Sequence, residues 1–235
     1  MTDKPYRCFT GKLIANATVT TSRWFESWQQ QFQQTDLAVT LSSEQANALA
    51  RLLPLLMCGE QSAQLVFNQT LEQCQADSET GIYQQLAEIE ADEQFHDLAL
   101  QQVFAQLPTP EGLSRITRRA QLFFCRLNQT KSKQEHFARI RHLDACVTII
   151  MSAMAASALG PQHVISQLFQ HIQKDEARHV KISSQYVRLL GGDNKTILAE
   201  AQMIKRELVN LLSSEKTAFE TLGVDSQQLF ARILK

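Results

Sequence analysis

The chain has 235 residues, 44% of them hydrophobic and 20% charged, which is enough for one domain with a sizeable core. Only eight glycines and five prolines are present, so turn material for an all-β fold is scarce and long helices are favoured. A net charge of −1 gives no electrostatic pull toward nucleic acid or an anionic membrane, and neither is expected as a partner.

The five cysteines (Cys8, Cys58, Cys74, Cys125 and Cys146) are scattered and never form a Cys-x-x-Cys pair. They read as reduced thiols of a cytoplasmic protein, filling the core rather than acting as nucleophiles. Met1–Lys12 is polar and lacks the apolar centre of a secretory signal. The most apolar run, Ala145–Leu159, is too short to span a bilayer.

In chain order, the first residues to about position 20 read as irregular, and Thr21–Gln34 as a short helix displaying Trp24, Phe25 and Trp28. Ser42-Ser43-Glu44 offers an N-cap for a long helix reaching about Gln75 and bent at Pro54. Further helices are expected over about Ile82–Leu107, Glu111–Asn128 and Ser132–Leu159. Gly160-Pro161 then breaks the chain before a helix over about Gln162–Leu190, which Gly191-Gly192 ends. Helices over about Lys195–Ser214 and Ser226–Leu234 finish it. The fold class is all-α, a single domain over 1–235 with a core of about 45–190 and a C-terminal helical extension of about 193–235.

A three-then-four spacing laid on the four longest helices gives four apolar stripes, each with a carboxylate near its middle. One reads Ile82, Leu86, Ile89, Glu93, His96, Leu100, Val103, Leu107. Another reads Ile165, Phe169, Ile172, Glu176, His179, Ser183, Tyr186, Leu190. The remaining two run Leu49, Leu53, Leu56, Glu60, Gln64, Phe67, Leu71, Cys74 and Phe137, Ile140, Asp144, Val147, Met151, Met154, Ala158.

An unpaired carboxylate in a dry helix interface costs several kcal/mol or takes up a proton, and converging carboxylates raise each other's pKa. Two divalent cations reverse that problem: four carboxylates balance four positive charges, and two imidazoles add neutral donors. Residues three apart share a helix face, so each Glu-x-x-His delivers an oxygen and a nitrogen together. The candidate metal ligands are therefore Glu60, Glu93, His96, Asp144, Glu176 and His179. Asp92 and Asp175 precede the two glutamates and would accept the second N–H of the imidazoles, Asp92 from His179 and Asp175 from His96.

Other readings stand beside these. Glu60 follows Gly59 and could be a polar residue at a helix kink. Asp144 could pair with Arg141, with Glu135 as the nearest substitute ligand. His136, His142 and His163 read as solvated or structural. Arg178 reads as a salt-bridge partner outside the ligand set, and Lys131–His142 as a mixed charged face.

Asp92-Glu-Gln-Phe-His96 and Asp175-Glu-Ala-Arg-His179 resemble the motifs of the ferritin-like di-iron carboxylate superfamily. Those four-helix bundles use one Glu-x-x-His on each of two helices and one carboxylate on each of the others. The resemblance covers about Gln45–Leu190 and implies a ferritin-like bundle with additional N- and C-terminal helices. The Glu-Ala-Arg-His string is similar to that of the arylamine N-oxygenases, and its Arg-His ending to that of the acyl-carrier-protein desaturases. The resemblance implies that Glu93 and Glu176 bridge the metals and that Glu60 and Asp144 are terminal, with His96 on one metal and His179 on the other. Two positions depart from the N-oxygenases, which carry a further histidine where Ile172 stands and a Glu where Asp144 stands.

From the resemblance follows an oxygenase or oxidase with two iron ions, O2 and a small organic substrate. A Mn/Fe pair would suit the same ligands. A separate electron donor is implied, since nothing in the chain resembles a flavin or nicotinamide site, and the expected size is a monomer or homodimer. Thr148, one turn after Asp144, resembles a hydroxyl of the hydrocarbon mono-oxygenases that would steer protons; equally, it could bond back to the helix backbone. Leu100 stands where the small subunit of ribonucleotide reductase keeps its radical tyrosine, which argues against a tyrosyl-radical generator. The small residues Ser152, Ala153, Ala155, Ala156, Ser157 and Ala158 would leave room for a substrate or permit close helix packing. The competing classes are an iron oxidation and storage protein and a helical interaction protein without metal.

Overall fold

The computed structural model describes residues 5–9, 24–74 and 81–235, apart from the side chains of Gln73, Cys74 and Thr196. Eleven helices occur among the described residues, with no strand: α1 (Phe25–Gln33), α2 (Leu37–Thr40), α3 (Ser43–Cys74), α4 (Gly81–Ala105), α5 (Leu113–Leu127), α6 (Lys133–Ala155), α7 (Val164–Leu189), α8 (Asn194–Ala199), α9 (Ala201–Ser213), α10 (Lys216–Thr221) and α11 (Ser226–Leu234). None of the described helices is long and apolar enough to cross a membrane. The all-α expectation holds. The chain divides into two compact units, 1–121 and 122–235.

Unit 1 is built on the α3–α4 pair. Ser42 starts α3 with a reciprocal capping box: its Oγ accepts from the Gln45 amide at 3.2 Å, and its own amide donates to Gln45 Oε1 at 2.9 Å. The helix then continues through Pro54 without a break. Leu49, Leu53, Phe67 and Leu71 on α3, and Leu86, Ile89, Leu100 and Val103 on α4, are buried as their stripes require, whereas Leu56 is half-buried and Met57 beside it is buried instead. The short α1 adds aromatic rings: Trp28 stacks on Phe32 (5.0 Å between centroids), and Phe25 meets Phe95 of α4 (5.1 Å).

The N-terminal stretch 5–9 is not helical, as expected; the rest of the first twenty residues lies outside the described residues. One expectation is corrected here. Cys8 and Cys58 form a disulfide, whereas the sequence reads as reduced thiols. Their separation of 50 residues carries no local signal; only the tertiary placement of the N-terminal stretch against α3 brings them together. Cys125 is free and exposed, and Cys146 free and buried. Burial pushes the Cys146 thiol up to about 11, so it remains protonated and inert at neutral pH.

Unit 2 is built on α6 and α7, whose stripe residues Phe137, Ile140, Met151, Met154, Ile165, Phe169 and Ile172 are buried. Phe137 packs edge-on against Tyr186 at 4.5 Å. Ser132 caps α6 by accepting from the Glu135 amide. Arg139 is 9% exposed and holds five groups: Glu135 Oε1 (2.6 Å), Glu200 Oε2 (2.9 Å) and the carbonyls of Arg126 (3.4 Å), Leu127 (3.1 Å) and Gln129 (2.9 Å). Those carbonyls lie at and just beyond the C-terminal end of α5, where helical partners run out.

The C-terminal expectations need two adjustments. The segment Lys195–Ser214 is two helices, broken at Glu200, whose carboxylate pairs with Arg139. The helix expected to reach Leu159 ends at Ala155, and the Ala158 amide instead donates to the Leu222 carbonyl at 2.8 Å. Ala156, Ser157 and Ala158 therefore lie in the turn after α6.

His163 caps α7, its Nδ1 accepting from the Ile165 amide at 3.2 Å. That acceptor exists only on neutral imidazole, and burial pushes the His163 pKa below its ordinary value of about 6.5. The unfolded chain thus takes up the proton first as pH falls. Stability contributed by this cap is present above about pH 6.5 and is lost as pH falls through the lower folded value. His163→Asn keeps a neutral acceptor and is expected to flatten that part of the stability–pH curve by about 1 kcal/mol between pH 7.5 and 5 in urea unfolding. An unchanged slope would show that the cap does not titrate.

Candidate metal site

The α3–α4 pair brings Glu60 together with Glu93 and His96. All three are buried, at 4%, 3% and 0% exposure, and their donor atoms lie within 4.8 Å of one another. His96 turns its Nδ1 to Glu60 Oε2 at 3.1 Å. Gln64, one turn after Glu60, donates its Nε2 to the backbone carbonyl of Glu93 at 2.9 Å and so ties the two helices at the ligand level. Trp24 stacks over His96, with ring centroids 6.1 Å apart and planes inclined by 27°.

In unit 2, Asp144, Glu176 and His179 are also buried, at 8%, 3% and 0% exposure. His179 Nδ1 lies 3.8 Å from Glu176 Oε2, one turn earlier on α7. Each motif histidine thus presents the same ring nitrogen to a glutamate. Within unit 1, the buried donors Glu60, Glu93 and His96 could hold a metal ion.

Arg141 turns to Ser184 Oγ (2.7 Å) and to His142 (3.3 Å). Glu135 pairs with Arg139. Thr148 donates to the Asp144 carbonyl at 2.9 Å, the backbone bond that was one of its two readings. His142, although polar, is buried against the Ile197 carbonyl at 2.5 Å. Asp175 lies 3.7 Å from Arg178, which is the salt bridge expected of that arginine.

Comparison with protein-family models, with curated proteins and with solved structures gives no match for this chain.

Three polar residues around the unit 1 site carry no signal in the stripe pattern. Asp97, directly after His96, accepts from Gln61 Nε2 (2.9 Å) and Gln101 Nε2 (3.1 Å) and lies 3.7 Å from Arg7. Burial raises the Asp97 pKa, while those two hydrogen bonds and the Arg7 charge oppose the rise. Gln61, directly after Glu60, is 2% exposed. Glu90, one turn before Glu93, is 0% exposed and accepts from Gln94 Nε2 at 2.5 Å. Their position beside the ligands is visible from the numbering; their burial is not, because each lies off the apolar stripe of its helix.

Proposed function

We propose that α3, α4, α6 and α7 form a four-helix bundle whose centre holds two metal ions, and that the protein is a di-iron, O2-activating oxidoreductase acting on a small organic molecule. The observation that carries the reading is the grouping of Glu60, Glu93 and His96 in the interior of unit 1. Two carboxylates and an imidazole within 4.8 Å, all at 4% exposure or less, are an unfavourable cluster without a cation and a favourable one with it.

In this reading Glu60 and His96 would hold one metal and Asp144 and His179 the other, with Glu93 and Glu176 serving both. Both imidazoles would bind through Nδ1, the nitrogen that in His96 faces Glu60 and in His179 faces Glu176. That leaves Nε2–H to donate outward, to Asp175 from His96 and to Asp92 from His179, fixing the tautomer and ring plane. Oxygen and nitrogen donors of this kind suit iron and manganese. The bound metals would supply O2 activation with electrons from a separate donor, and the surrounding apolar residues would keep bulk water from the oxidant.

The test is metal analysis and oxygen uptake. Protein produced in iron-rich medium is expected to carry about two irons per chain and, once reduced, to consume O2. Fewer than about one iron per chain, with no change on Glu176→Ala, would sink the reading. An iron storage function would appear instead as a very large assembly filling with mineral, and a Mn/Fe pair as manganese in about half the sites.

A further inference from the structure

A second polar structure sits against the α3–α4 pair, and two of its members, Gln61 and Asp97, directly follow the candidate ligands Glu60 and His96. Cys58 and Gln61 flank Glu60 on α3, and Asp97 follows His96 on α4. Cys58 is bonded to Cys8 of the N-terminal stretch. The Cys8 amide donates to Gln61 Oε1 at 2.8 Å, and Gln61 Nε2 donates both to Asp97 Oδ1 (2.9 Å) and to the Tyr6 carbonyl (3.2 Å). Gln101 takes the Tyr6 amide on its Oε1 (2.9 Å) and donates its Nε2 to the Tyr6 carbonyl (2.7 Å). Gln121 of α5 donates to the Cys8 carbonyl.

The Gln61–Asp97 bond crosses between α3 and α4 one residue from the 3.1 Å approach of Glu60 to His96. Because successive helical residues point about 100° apart, ligands and clamp share the same turns while pointing in different directions. Whatever fixes Gln61 against Asp97 therefore also fixes the distance between the helices at the ligands. Gln61 is held by the Cys8 amide, and Cys8 is held covalently by Cys58. Once that bond is open the N-terminal stretch can lift away, leaving Gln61 without the Cys8 amide and Tyr6 carbonyl and Asp97 without the Arg7 charge.

We propose that the Cys8–Cys58 disulfide is a redox switch on metal affinity: oxidised, it locks α3 against α4 in the metal-holding arrangement; reduced, it frees the stretch 5–9 and weakens the site. The proposal rests on Glu60, Glu93 and His96 being ligands and concerns how that site is regulated. The step is thiol–disulfide exchange with a cellular dithiol. A thiolate of the dithiol attacks Cys8 Sγ, the Cys8–Cys58 bond breaks, and Cys58 leaves as thiolate. Tyr6 stands 3.5 Å away, its hydroxyl within reach of that sulfur. The second thiol of the reductant then resolves the mixed disulfide. Two electrons and two protons pass from the dithiol to Cys8 and Cys58. Since Cys8 is 2% and Cys58 0% exposed, attack follows lifting of the N-terminal stretch, which makes exchange slow unless that stretch opens.

The full chain titrated with Mn(II), a cation that binds thiolates weakly, tests this. Reduction by a dithiol is expected to weaken Mn(II) binding at least tenfold, with helical circular dichroism retained, and reoxidation to restore it. Cys8→Ser should match the reduced state and ignore the dithiol, whereas Cys125→Ser should behave as the unaltered chain. Equal affinity in both redox states overturns the switch and leaves the ligand reading standing. No Mn(II) binding in either state removes the ligand reading and the switch with it. Loss of helix content on reduction, or five titratable thiols in denatured, unreduced protein, also overturns the switch. Should Cys8→Ser fail to fold, the reversible reduction of the unaltered chain decides alone.

Discussion

Glu93→Ala is expected to abolish metal-dependent stabilisation. In the proposed site Glu93 is shared by both metals, and its helix is tied to α3 at that residue by the Gln64 bond to its carbonyl. Loss of this one side chain removes a donor from each ion, whereas loss of Glu60 removes a donor from one. The unaltered protein at a metal concentration about 100 times Kd should gain about 2.7 kcal/mol, from mass action alone. For a chain of this length that corresponds to roughly 5–10 °C in Tm. Glu93→Ala should lose nearly all of that gain. Its metal-free stability should change little, because removing a buried carboxylate offsets the cavity left behind. Thermal unfolding with and without Fe(II) or a chelator measures both quantities. A Tm indifferent to metal in the unaltered protein would end the metal reading and favour a helical interaction protein.

Arg139→Ala is expected to cost about 3–5 kcal/mol, the range for breaking a buried ion pair from one side. The guanidinium satisfies two carboxylates and three carbonyls from three parts of unit 2: the end of α5 with the loop after it, the first turn of α6, and the α8–α9 junction. Glu135 and Glu200 keep about a fifth of their side-chain surface in solvent and can rehydrate, which favours the lower end. The carbonyls depend more fully on the arginine. Arg139→Lys should recover only part of the loss, since one ammonium cannot span five acceptors. Urea unfolding of the three proteins gives the comparison; a deficit below about 1 kcal/mol for Arg139→Ala would show that water replaces the guanidinium.

What the sequence conveyed, and what it did not, follows the range over which each signal acts. The stripes of α4 and α7 repeat over six turns or more, so Glu93, His96, Glu176 and His179 could be placed on buried faces from spacing alone. Ser42, Ser132 and the Gly191-Gly192 pair act within one turn, and the helix ends they mark agree with the structure to within a residue or two. α2 and α10 were missed because four and six residues are too few to show a helical period. The break at Glu200 and the end of α6 depend on bonds that span 61 and 64 positions, Glu200 to Arg139 and the Ala158 amide to the Leu222 carbonyl. The Cys8–Cys58 bond belongs to the same class. Polar residues beside the ligands, Gln61, Asp97 and Glu90, escaped a search keyed to apolar stripes because their burial is paid for by hydrogen bonds rather than by hydrophobicity.

The ring stacked on His96 has a practical consequence. The chain has only two tryptophans, Trp24 and Trp28, and they lie 6.4 Å apart on the same short helical segment. Its entire indole emission therefore originates from a ring stacked on the candidate ligand His96 and the ring next to it. A paramagnetic ion bound there would quench that emission at a range of a few ångströms, while a diamagnetic ion of the same charge would not. The protein carries its own optical gauge of site occupancy, readable in dilute solution without a label or a substrate.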